Sequence, residues 1–239
     1  MNFGNRVSMI RTTTLAALAA ALSLIAVPAA AQDIDLSPAI ENTQETNVEV
    51  REFPITVNFD ATEDLENILY LDLSTGERVA IRLVPEWAPN HVERIKTLTR
   101  QGFYDGVVFH RVIDGFMAQT GDPTATGQGS SDLPDLEAEF NMLPHVRGTV
   151  SMARADAENS ANSQFFIVFY PRFALDRRYT NFGRVISNMP AVDAIERGEP
   201  PRNPTQVLQA SIAADNKPQV TAPLRTPEQD RITLDMLND

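Results

Sequence analysis

The 239-residue chain contains no cysteine. That absence excludes thiol nucleophiles, disulfide crosslinks and zinc–thiolate sites together, and places the burden of stability on the hydrophobic core. Basic residues are also scarce: 20 Lys and Arg stand against 32 Asp and Glu, a net charge of −12. Binding nucleic acid or an anionic membrane surface requires basic patches, so neither partner is expected. The three histidines, His91, His110 and His145, fall in separate segments without metal-ligand spacing. A structural role is expected for each, with no metal and no cofactor. No G-x-S-x-G elbow presents a serine nucleophile. GDPTATGQGS has the look of a phosphate loop, but five residues separate Gly121 from Gly127 and no Lys-Ser/Thr follows.

Long apolar runs are missing too, apart from one near the start. Leu15–Val27 is 13 residues long, short of the roughly 20 a membrane span needs. Arg6 and Arg11 precede it and Ala29-Ala30-Ala31 follows, the pattern of an export signal over residues 1–31. The alternative is an uncleaved N-terminal anchor; a lipid anchor is excluded for want of a cysteine. Cleavage after Ala31 removes two arginines and no acid, leaving 208 residues with 18 basic against 32 acidic, net −14. That length suits one well-buried core with extensions. No membrane insertion after cleavage is expected, and a monomer is compatible with the charge.

What is present is a succession of short strands. Residues 32–66 form an extension of mixed polarity. Ile68–Leu73 and Arg78–Val84 alternate around Ser74-Thr75-Gly76-Glu77, a hairpin signal. APNHVERIKTLTRQG predicts a helix with Pro89 in its first turn, an Asn90–Glu93 capping pair and a stop at Gly102. Val92, Ile95, Leu98 and Thr99 would form its inward stripe. After a loop over 121–135 come β-type runs at 145–152, 164–169 and 179–186, a short helix from Pro190 to Gly198, and a last strand at 207–213. Residues 216–239 read as a polar tail. Many short strands with two helices predict a mainly β fold, a closed antiparallel barrel rather than a βαβ sheet.

FHRVIDGFMAQTGD, residues 109–122, places Arg111 and Gln119 beside Phe116 and Met117. SQFFIVFY repeats the theme. Its β-period puts Phe165, Ile167 and Phe169 on one face, and Gln164, Phe166 and Val168 on the other. With the first face inside the barrel, Gln164–Phe166 and Met117–Gln119 are amide-plus-apolar pairs on its outside. Two readings stand: an extended-peptide groove with Arg111 beside it, or ordinary barrel exterior with a surface ion pair.

FHRVIDGFMAQTGD, SMARADAENSANSQFFIVF and LDRRYTNFGRV together resemble the cyclophilin-type peptidyl-prolyl isomerases, in motif identity and spacing, over roughly Asn67–Asp215. The resemblance implies a closed eight-stranded antiparallel β-barrel capped by two α-helices, occupying residues 67–215, with a peptide groove on its outer surface. It also implies peptidyl-prolyl cis-trans isomerase activity on proline-containing polypeptides, here of a bacterial, periplasmic member. Carried over by motif, Arg111 is the active-site arginine. Phe116, Met117, Phe166 and Leu175 form the proline pocket. Gln119, Gln164, Ala153, Arg154 and Tyr179 complete the substrate-binding set. Departures from animal members are Ala174 for a tryptophan, with Phe173 before it, Tyr179 for a histidine, Arg154 for an asparagine and Thr120 for a glycine. Cyclosporin binding, which leans on that tryptophan, is expected to be weak. The alternative function is a proline-peptide binding or scaffolding module with incidental turnover.

Overall fold

Alternating side chains in Ile68–Leu73 (β1) and Arg78–Leu83 (β2) make the expected hairpin, paired antiparallel with Leu69 opposite Ile81 and Leu71 opposite Val79. The computed structural model describes residues 55–221; the export signal over 1–31 and the end of the tail lie outside the described residues. Helix α1 spans Pro89–Arg100. Strands β3 (Arg111–Ile113), β4 (Met117–Thr120), β5 (Thr149–Met152), β6 (Phe165–Val168) and β7 (Asn181–Ser187) follow, then helix α2 (Met189–Asp193) and strand β8 (Val207–Ile212). Among the described residues all eight strands join one antiparallel sheet in the order β3-β4-β6-β5-β7-β2-β1-β8. Leu69, Leu71, Ile81, Val150, Phe165, Ile167, Phe182 and Ile212 point into the curved sheet, where Val92, Ile95 and Leu98 of α1 and Val192 of α2 cover them. The predicted apolar stripe of α1 is the buried one.

The expected closed barrel is corrected: the sheet is open, a half-barrel with β3 and β8 as its edges. The chain between the two edges explains why. Val112 of β3 exchanges backbone hydrogen bonds with Gly198, 2.8 and 2.9 Å, instead of with β8. Pro200, Pro201 and Pro204 then follow, and proline has no N–H to give a ladder. Residues 106–109 approach 205–207 only by isolated bonds, such as Phe109 N–H to Thr205 O at 2.9 Å.

Two helix details also differ from expectation. The Asn90–Glu93 capping pair does not form. Glu139, from the loop before β5, accepts from the N–H groups of Asn90 and His91 at the start of α1 and from His91 Nδ1 at 2.6 Å. A carboxylate there satisfies orphan amides and meets the positive end of the helix dipole. Helix α2 stops at Asp193, well short of Gly198, because the Arg197 guanidinium takes the carbonyls of Asp193 and Ile195, and Gly198 is committed to β3.

The extensions are partly built into the domain. Buried Arg82 of β2 donates to the carbonyls of Asn58, Asp60, Glu63 and Asp64, which straps residues 58–64 to the sheet. After β8 the chain returns along the β1–β2 hairpin: Val220 N–H donates to Asp72 at 2.7 Å and Gln219 to Gly76 O at 3.2 Å. Among the described residues no helix is long and apolar enough to cross a membrane.

Candidate active site

One row of cross-strand neighbours organises the convex side of the sheet. Arg111 on β3 faces Gln119 on β4, Gln119 faces Phe166 on β6, and Phe166 faces Ser151 on β5. Residues directly opposite in antiparallel strands share a face, so register alone delivers an arginine, an amide and an aromatic ring to one surface. The two faces of β6 separate as its alternation predicts. Phe165 and Ile167 enter the main core, while Met117, Phe166 and Val168 form a second apolar cluster with Ile113, Phe116, Ala153, Leu175 and Tyr179.

That cluster floors a groove of about 470 Å³, walled by Arg111, Phe116, Gln119, Arg154, Leu175 and Tyr179 among others. The structure therefore brings nine of the ten sequence-predicted site residues to one cavity. The tenth, Gln164, lines the adjoining 340 Å³ recess, which shares Gln119, Ala153 and Arg154. The Tyr179 ring meets Phe166 edge-on at 5.7 Å, and the Arg154 guanidinium lies 4.9 Å over Tyr179. Arg154 also donates to the carbonyls of Ala155, Asp156 and Arg178, so it braces the rim. Ala153 N–H is committed to Gln164 O at 2.9 Å and is not a free donor for a ligand. Phe173, 65% exposed, faces solvent and does not supply the missing tryptophan.

A hydrogen-bonded chain runs beneath the groove. Arg111 Nη1 reaches Gln119 Oε1 at 3.5 Å, Gln119 Nε2 donates to Gln164 Oε1 at 2.8 Å, and Gln164 Nε2 donates to the carbonyls of Gly127 and Gly129. Those carbonyls sit in the loop that resembled a phosphate site. Its organiser is Asp122, whose carboxylate accepts from the N–H groups of Thr124, Gly127 and Gly129. Burial pushes the Asp122 carboxyl up, but these hydrogen bonds outweigh it and hold it below the usual carboxylate range. A Cβ on Gly129 would lie 2.0 Å from Asp122 Oδ1, and one on Gly121, at φ +88°, would lie 2.4 Å from Ser163 O. The glycines exist for close approach, as a tight loop requires.

The histidines divide. His91 and His145 are structural: His145 bridges Ser151 at 2.8 Å and Asp176 at 2.9 Å. His110 lines the groove with neither ring nitrogen bonded among the described residues. Burial pushes its imidazole below the ordinary value, against the pull of Asp122 and with the neighbouring Arg111 charge acting in the same direction as burial. No group of three or more metal-ligating side chains occurs among the described residues. Sequence reasoning missed Glu199, whose carboxylate accepts from Arg111 Nε at 2.8 Å. The pair lie 88 positions apart in the chain, so no local pattern could have shown it.

Residues 70–213 match the family described as "Cyclophilin type peptidyl-prolyl cis-trans isomerase/CLD". The chain belongs to the cyclophilin-type isomerases. It is an enzyme, a peptidyl-prolyl cis-trans isomerase. Among its relatives, a probable peptidyl-prolyl cis-trans isomerase of Brucella suis biovar 1 is 48% identical over 170 residues, 64% of this chain and 86% of the relative. The peptidyl-prolyl cis-trans isomerase B of Bacillus subtilis is 39% identical over 131 residues, 54% of this chain and 91% of that one. Among solved structures, a cyclophilin from Hirschia baltica superposes with TM-score 0.60 at 31% identity, covering 65% of this chain and 77% of its own. A Cryptosporidium parvum cyclophilin crystallised in the presence of the dipeptide Ala-Pro gives TM-score 0.56 at 25% identity, covering 61% and 98%. This cyclophilin's groove thus lies where its own sequence motifs converge on the sheet.

Proposed function

We propose that this cyclophilin catalyses X–Pro rotation through Arg111, with the ring of proline held by Phe116, Met117, Phe166 and Leu175. One observation supports this most: Arg111 lines the same groove as the large apolar side chains of Phe116, Met117, Phe166 and Leu175. The partial double bond of an imide imposes a barrier of roughly 18–20 kcal/mol, so uncatalysed exchange takes about 10–100 s. As the bond twists, conjugation is lost and the proline nitrogen gains a usable lone pair. In the planar ground state that nitrogen accepts poorly. A guanidinium held over it is rewarded only midway through the rotation, and only such differential stabilisation speeds the step.

The magnitudes are compatible. Moving from about 10 s to about a millisecond is roughly 10⁴-fold, ~5.5 kcal/mol. One charge-assisted hydrogen bond supplies about 1.5–3 kcal/mol, and exclusion of water from the apolar notch strengthens it. Arginine suits the task because it stays protonated and presents a planar fork. Gln119 and the backbone at Arg154 would hold the flanking peptide, with Gln164 orienting the Gln119 amide, and Tyr179 would form the far wall. The Cryptosporidium parvum relative crystallised in the presence of the dipeptide Ala-Pro agrees with proline-containing polypeptides as substrates.

The predicted export signal makes the clients chains folding in the periplasm, where slow prolines delay maturation. The catalytic reading is tested by NMR exchange spectroscopy on an X–Pro peptide with Arg111→Ala. A variant that keeps near wild-type exchange enhancement would remove the arginine from the mechanism.

A further inference from the structure

We propose that Glu199 is a positioning residue for the reaction: it holds the plane of the Arg111 guanidinium so that Nη2 is presented to the groove. The inference rests on Arg111 being the catalytic arginine.

Three features converge on it. The backbone comes first. Gly198 exchanges both its hydrogen bonds with Val112, so the next residue, Glu199, is set beside the neighbour of Val112, which is Arg111. The glycine is required there: at φ +147° a Cβ would lie 2.5 Å from Pro201 Cα. Pro200 and Pro201 restrict the following φ angles, so the loop offers Glu199 little room to wander.

The second feature is how the guanidinium is held. Its Nε donates to Glu199 Oε2 at 2.8 Å, and its Nη1 reaches Gln119 Oε1 at 3.5 Å. Two anchors on a planar fork determine its orientation. Nη2 bonds to no acceptor among the described residues. The Gln119 contact is long and its acceptor is a neutral amide, whereas the Glu199 contact is short and its acceptor is an anion. Glu199 is therefore the stronger of the two restraints.

Exposure is the third feature. The Arg111 and Glu199 side chains are 43% and 52% exposed, and pairs that open to water add little stability. Orientation is what such a pair can supply. A long side chain released from it would sample other rotamers and meet the twisted imide for only part of the time.

The experiment is a double-mutant cycle on the full-length protein, with kcat and KM from a chymotrypsin-coupled assay on an Ala-Ala-Pro-Phe p-nitroanilide. Glu199→Ala is expected to lower kcat about tenfold with KM changed less than about twofold. Glu199→Gln, which retains an acceptor oxygen, is expected to keep about half of kcat or more. In an Arg111→Ala background, Glu199→Ala is expected to have no further effect. Wild-type or faster turnover by Glu199→Ala overturns the proposal, as does an equal loss in both backgrounds. Loss of kcat accompanied by a matching drop in thermal midpoint overturns it too. The two readings fail separately: full activity of Arg111→Ala alone removes the catalytic assignment, whereas an inactive Arg111→Ala with an unaffected Glu199→Ala removes only the positioning role.

Discussion

The imidazole of His145 lies stacked against the ring of Phe166, centroids 6.4 Å apart and planes 20° from parallel. Phe166 is on the floor of the groove, and His145 hydrogen-bonds to Asp176, the residue after the groove wall Leu175. Floor and wall are therefore tied by one buried side chain, which gives the groove a rigid frame before any peptide arrives.

Acid should loosen that frame. Burial pushes the His145 imidazole below its ordinary value, more than Asp176 pulls it up, and burial also lowers His110. A histidine depressed in the folded state binds its proton more readily when unfolded, so stability rises with pH through that window. It is complete above the unfolded value near 6.5 and is lost as pH falls toward the folded values. Thermal midpoints should fall between pH 8 and pH 5, before the carboxylates titrate. In His145→Gln that fall should shrink; an unchanged slope would exonerate His145.

At Phe166 the two roles of a groove residue meet. It is 5% exposed, so Phe166→Ala should cost about 3–5 kcal/mol of stability and weaken peptide binding together. Phe166→Leu keeps most of the buried volume and should retain the fold. Its peptide Kd, followed by NMR titration, should still rise several-fold if the ring contacts proline. Unchanged Kd in a folded Phe166→Leu would make the ring mere packing.

Arg111→Ala should lower kcat/KM roughly a hundredfold or more and leave the thermal midpoint within about 2 °C, since surface changes cost little. Arg111→Lys keeps the charge but not the fork. It should recover only a minor part of the rate in the protease-coupled assay, and full recovery would show that charge alone suffices.

Glu139 makes a prediction about the scaffold. It is 9% exposed and accepts from Asn90 and His91. Burial pushes its carboxyl up, yet the His91 and Asn90 donors together hold it below the ordinary value. Glu139→Gln should lower stability by about 1.5–3 kcal/mol in urea unfolding. Because Glu139 is not among the groove walls, kcat/KM of the folded fraction should stay near wild type.

Much of this molecule was legible one-dimensionally because its cause is local. Alternation in 68–73, 78–83 and 164–169 gave both the strands and their faces, and a wrong register would have sent Phe165 outward. The α1 stripe likewise followed from helical period. The full groove set, Arg111, Phe116, Met117, Gln119, Ala153, Arg154, Gln164, Phe166, Leu175 and Tyr179, came from the resemblance of three motifs to the cyclophilin-type isomerases; alternation alone left a groove and a plain exterior both open. Capping was misjudged where a distant carboxylate intervened, and termination where a nearby side chain competed for the helix carbonyls. Glu139 replaced Glu93 at α1, and the Arg197 side chain drew carbonyls away at the end of α2.

By itself, then, the order of residues determined which segments are strands, which face of each is apolar and which side chains share the convex surface, since period and propensity act over a few residues. Only the tertiary structure decided that the sheet stays open between β3 and β8, that Arg82 straps down residues 58–64, and that Glu199 meets Arg111. Those outcomes depend on which remote backbone groups still lack partners once the strands have paired, and that accounting closes only in three dimensions.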